Sequence, residues 1–202
     1  MESLTNRTVR DVEFSGAVLL APASFLFSEL PETCRLLEGH VDRHLQEEDL
    51  LSLLLMWKKE AGIADDVPLH VLLVQKPGDE KLSVFGGGGV LRLGGLCAET
   101  ATGTVDFTLV PTNGMISPEE LFKDLIHLVL SSKKLSKLIL LPLGKDSEAL
   151  DDAALLRILE DLGKGKADSR ILFLELWPTP LGVAAKQSMV PSLARLMGFR
   201  AG

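Results

Sequence analysis

Four consecutive glycines, Gly86, Gly87, Gly88 and Gly89, followed by Val90, are the stretch of this sequence best suited to hold a ligand by its backbone. Glycine takes positive φ without strain and lets a bound group approach the main chain closely. The flanking segments, "KLSVF" before the glycines and "VLRLGG" after them, look like short strands, so a hairpin connection is the reading that needs fewer assumptions. The run is nevertheless longer than a two-residue turn requires. A second candidate is Gly144, which ends "KLILLPLG" just before Lys145, Asp146 and Ser147. A strand gives way to a helix there, where helix N-terminal amides can face an anion, although a plain strand-to-helix turn is the simpler expectation. Neither segment carries the Gly-Lys-Ser/Thr ending of a phosphate loop or a dinucleotide fingerprint between strand and helix.

Metal and nucleophile chemistry find less support. His40 and His44 stand four apart and would share a helical face with Glu47 or Glu48, a spacing that can bind zinc. No third ligand is nominated, and a solvated polar face is the simpler expectation. His70 falls within a strand and His127 within a helix, where structural roles are expected. There is no Gly-x-Ser-x-Gly elbow, and neither Cys34 nor Cys97 has a catalytic setting. Asp151, Asp152, Glu160 and Asp161 lie on a helix whose other face is apolar, as a solvated face would. No catalytic residue, metal ligand or cofactor is nominated.

These residues need a scaffold, and the pattern supplies one by alternating short apolar runs with helical stretches. "FSGAVLLAP", "PLHVLLVQ", "KLILLPLG" and "RILFLELW" are continuous apolar runs, as strands covered on both faces are. "GTVDFTLVP" alternates Val105, Phe107 and Leu109 against Asp106 and Thr108, predicting a strand with one face less buried. Helices are predicted over 29–38, 41–62, 117–134, from Asp146 or Ser147 through Leu162, and over 183–197. The third is the best specified, with Ser117 as N-cap, Pro118 at the first helical position and Glu120 completing a capping box. "KPGD" is a turn signal. The expected fold is a single α/β domain over 1–202, a three-layer sandwich. Its mixed, mostly buried central sheet has antiparallel pairing around "KLSVF" and "VLRLGG", and helices cover both faces.

Composition narrows the partners. The 202-residue chain carries a formal net charge of −7, which argues against nucleic acid, since duplex binding draws its affinity from Lys and Arg on phosphates. Lys133, Lys134 and Lys137 form only a local cluster at a helix end. The two isolated cysteines fit a reducing compartment. No signal peptide or apolar run of membrane-spanning length is seen, so a cytoplasmic or nuclear protein with no membrane partner is expected.

From Phe85 onward the order of features resembles a macro domain, the α/β module that binds ADP-ribose. "GGGGV" is similar to that family's glycine-rich stretch. "GTVDFTLVP", a helix and "KLILLPLG" are similar to its later strand, helix and strand. The resemblance implies ligand contacts at Gly86 to Val90 and at Pro142 to Gly144. Two functional expectations follow. One is a non-enzymatic interaction module acting through protein–protein contacts, an assembly or scaffold subunit, suggested by the leucine excess and by Trp57 and Phe25 as surface residues. The alternative is macro-domain-like binding of ADP-ribose or a related nucleotide-derived ligand.

Overall fold

The computed structural model describes residues 13–37, 43–144, 168–176 and 185–198. The strands are β1 (Gly16–Pro22), β2 (Leu69–Gln75), β3 (Cys97–Thr100), β4 (Gly103–Pro111), β5 (Leu135–Leu140), β6 (Ile171–Glu175) and β7 (Ala185–Ser188). The α-helices are α1 (Leu30–Leu37), α2 (Asp49–Glu60), α3 (Pro118–Ser131) and α4 (Val190–Leu196). All seven strands form one sheet in the order β3-β4-β2-β1-β5-β6-β7.

The apolar runs explain the centre of that sheet. In β1, Ala17, Leu19 and Ala21 enter one hydrophobic cluster while Val18 and Leu20 enter a second. β2 divides likewise, with Leu69, Val71 and Leu73 on the first side and Leu72 and Val74 on the other. The first cluster is closed by α1, α2 and α4 through Leu30, Leu53, Leu54, Trp57 and Leu193. The second is closed by α3 through Phe122, Leu125, Ile126 and Val129. Helix, sheet and helix therefore make three layers, and the α/β expectation holds. The mixed character holds as well, although its source is different.

Every pairing is parallel except that of β3 with β4. Taken without β3, the parallel strands run third, second, first, fourth, fifth, sixth in chain order, the doubly wound arrangement. Its switch point lies between β1 and β5, where the chain leaves the two carboxyl ends in opposite directions. Ligands of such sheets bind outside the carboxyl ends of the strands.

Three expectations are corrected. "KLSVF" and "VLRLGG" are not strands. Asp79–Lys81 and Val90–Leu93 are single 3₁₀ turns, and only the isolated bridge between Ser83 and Gly89 pairs the two segments. Val90 and Leu93 are buried while Leu91 and Arg92 are exposed, the three-residue spacing of a 3₁₀ turn rather than alternation. The antiparallel edge is supplied instead by β3.

The helix predicted over 41–62 begins only at Asp49. Asp49 is buried, and its carboxylate accepts the Gln46 N–H at 2.9 Å and the Arg43 guanidinium at 2.5 Å. Those local bonds divert the preceding residues from the helix. The helix predicted over 183–197 is β7 followed by the shorter α4, the strand being too short and polar to stand out. The helix expected from 146 to 162 lies outside the described residues.

Trp57 and Phe25 are also corrected. They are 0% and 3% exposed, packed in the first cluster, so neither is a surface residue.

Candidate functional site

The connection leaving β1 is unusual from its first turn. Residues Phe25–Glu29 are π-helical, with the Leu30 N–H bonding back to the Phe25 carbonyl, and α1 continues from them. Such π turns concentrate at functional sites. This one sends Phe27 toward the loop that follows β2, where Phe27 and Phe85 meet edge to face with ring centroids 5.8 Å apart.

That loop is a tight hairpin turn. Gly87 N–H donates to the Val84 carbonyl at 2.9 Å, Val84 N–H to Gly88 at 2.8 Å, and Val90 N–H to Leu82 at 2.9 Å. Its two central residues, Phe85 and Gly86, both have positive φ, 49° and 82°. That is the signature of a type I′ turn, which only glycine enters without strain.

A cleft of about 520 Å³ opens between these two connections. Phe27, Pro31, Leu45, Phe85 and Gly86 supply much of the wall, and Arg35, His44, Gln46 and Ser83 supply polar groups. Because Phe27 follows β1 and Phe85 follows β2, the cleft sits at the carboxyl end of the sheet, beside β1 and β2 rather than at the switch point between β1 and β5. Arg35 on α1 is exposed and forms no salt bridge among the described residues. An exposed guanidinium beside two aromatic edges suits a ligand that pairs an anionic group with a flat ring.

The glycines themselves carry a carboxylate. Gly88 N–H donates to Glu47 Oε2 at 2.7 Å, and Arg92 Nη1 lies 3.7 Å from Glu47 Oε1. A Cβ at Gly87 would overlap the Glu47 carboxylate, and one at Gly88 would overlap the Arg92 guanidinium. Gly89 has open space around it, and Val90 is fully buried, so Val90 anchors the loop rather than lining the cleft. Gly144, with φ of 96°, stands elsewhere, against Glu29 at the end of the π turn. It is not among the residues that line the cleft. The structure thus brings Gly86 to a cleft and leaves Gly144 apart from it. Each of the two glycine segments faces an acidic side chain of the chain itself.

Asp79 ties the cleft walls together. It is 3% exposed and accepts the Lys76 N–H at 3.1 Å, and the Ser24 backbone also acts to lower its pKa. Ser24 leads into the turn that bears Phe27, and Lys76 opens the loop that bears Phe85. Burial pushes the Asp79 carboxyl up from its ordinary value, against the lowering effect of the bond from Lys76.

The remaining described candidates, apart from His44 at the cleft, lie away from it. His44 lies in irregular chain before α2, and His40 lies outside the described residues, so the shared helical face expected for them is not formed at His44. His70 on β2 is bound at both nitrogens, Nδ1 at 2.7 Å from Asp106 Oδ2 and Nε2 at 2.9 Å from the Ser15 carbonyl. His127 sits on the exposed side of α3. Cys34 is buried and Cys97 exposed. Among the described residues no group of three or more His, Cys, Asp or Glu side chains is arranged to hold a metal ion, and no helix is long and apolar enough to cross a membrane. Sequence reasoning missed Phe27 and Arg35, which sit in no recognisable motif, and it named Glu47 only beside the histidines and Asp79 only as the end of the "KPGD" turn.

The fold and site define an α/β protein with a doubly wound sheet and an open cleft at its carboxyl end. Residues 11–202 match a family of unknown function (DUF6621), and the chain belongs to that family. No curated protein and no solved structure matches it.

Proposed function

We propose that the protein is a binding module for a small ligand carrying an anionic group and an aromatic ring. Nucleotide-derived compounds of the ADP-ribose type are the first class to test. The observation that supports this reading is the cleft beside Gly86, whose volume of about 520 Å³ is of the size that small ligands occupy. In this reading the ring packs against Phe27 and Phe85, and Arg35 binds the anion. No residue is assigned a catalytic role.

Thermal melts with and without ADP-ribose test the proposal. At a hundredfold excess over the dissociation constant, binding stabilises the fold by about 3 kcal/mol. Arg35→Ala weakens the affinity roughly tenfold or more, since charge-assisted bonds contribute about 1.5–3 kcal/mol. A melting temperature unmoved by millimolar ADP-ribose and related nucleotides sinks the reading.

A second reading, protein–protein contact, keeps one supporting observation after Trp57 and Phe25 are removed from it. Leu91, Leu96 and Met115 are exposed at 56%, 45% and 86%, and Leu96 adjoins the edge strand β3. Exposed apolar side chains beside an open sheet edge suit association. A strict monomer by light scattering, with no partner recovered by pull-down, counts against it.

A further inference from the structure

The glycine run has a property that a plain hairpin does not need, a carboxylate lying directly on its bare backbone. Glu47 reaches across from the turn before α2 and places Oε2 2.7 Å from the Gly88 N–H. Its other oxygen faces Arg92 at 3.7 Å, so an amide donor and a guanidinium act together. Any side chain at Gly87 would collide with this carboxylate. Gly88, Arg92 and Glu47 do not themselves line the cleft, but Gly86, two residues before Gly88, and Gln46, next to Glu47, both do, so the carboxylate sits at the cleft's margin.

We infer that Gly88 N–H and Arg92 form an oxyanion seat which Glu47 fills from within the chain, and that the anionic group of a ligand in the cleft takes the seat by displacing Glu47. The inference rests on the ligand reading above and adds to it a second anion contact and a built-in competitor. A carboxylate and a phosphate oxygen present the same charged acceptor to an amide, so a loop that holds one accommodates the other. The side chain of Glu47 is 43% exposed and that of Arg92 71%, so both can swing into solvent without opening the core.

The test uses the full chain labelled with ¹⁵N-glycine and inorganic phosphate as the probe, with chloride at matched ionic strength as the control. In Glu47→Ala, phosphate moves the Gly88 amide resonance saturably at millimolar concentration, while in the native protein the shift is several-fold smaller. Glu47→Gln, which keeps a neutral acceptor on the amide, falls between them. A Gly88 resonance that ignores phosphate in a folded Glu47→Ala protein, verified by circular dichroism, overturns the seat and leaves Glu47 as a structural latch.

ADP-ribose melts on the same variants separate this from the broader reading. A saturable phosphate response with no nucleotide effect upholds the seat and removes the nucleotide ligand. Nucleotide stabilisation equal in the native and Glu47→Ala proteins, with Gly88 unmoved, does the reverse.

Discussion

Asp79 shows how one buried side chain can hold a site without touching a ligand. Its carboxylate takes the backbone N–H of Lys76 from one wall of the cleft and feels the Ser24 backbone of the other. Asp79→Ala leaves the Lys76 N–H without this partner, and we expect a loss of about 1–3 kcal/mol in urea unfolding. Its raised pKa also sets a pH dependence. Above 3.8 the unfolded chain has released this proton while the folded protein still holds it. The stability Asp79 contributes is therefore full below 3.8 and declines as pH rises through the raised folded value.

Asp168 has the opposite sign. The Arg170 side chain bonds to it and holds its pKa below the ordinary value, so its contribution is present above 3.8 and lost as pH falls through the lowered value. In Asp79→Asn the stability relative to the native protein should rise as pH climbs from 3.8, read from urea curves across the acid range. Parallel pH profiles for the two proteins would show that burial does not perturb Asp79.

Among the elements, α3 and α2 illustrate two ways a helix end is secured. Ser117 accepts the Glu120 N–H at 3.1 Å while the Glu120 side chain reaches back to Ser117, which is the capping box expected from "SPEE". Ser117→Ala should cost about 1 kcal/mol, measured by chemical denaturation. This feature was legible because a cap is a local arrangement of adjacent residues.

At the far end of α2, Lys58 is 2% exposed and donates to the carbonyls of Asp65 at 2.9 Å and Thr102 at 2.8 Å. It fastens the helix to the turn between β3 and β4. Lys58→Met should lower stability by roughly 1–3 kcal/mol, and an unchanged unfolding midpoint would mean water replaces the ammonium. Nothing in "MWKKE" distinguishes Lys58 from Lys59, because the partners of Lys58 are backbone oxygens that come near only when the sheet assembles.

For the molecule as a whole, the sheet order places the connections after β1 and β2 side by side, and the cleft follows from that adjacency. The ligand reading belongs here too, since Phe27, Arg35, His44 and Phe85 come from separate segments. On this reading ADP-ribose raises the melting temperature, and Arg35→Ala diminishes the shift. The corrected β3 and β7 were obscure in sequence for the same reason. Each spans only four residues at a sheet edge and buries none of them, so neither carries the apolar run or alternation that marks a longer strand.

The sequence by itself determined the alternation of buried strands and amphipathic helices, the cap of α3 and the glycine run as a place of close backbone approach. Those features depend on residue type and on spacing along a few turns of chain. Only the tertiary structure decided what lies on the glycines. Glu47 is 41 residues from Gly88, and its meeting with that amide is a consequence of where α2 and the loop after β2 pack on the sheet.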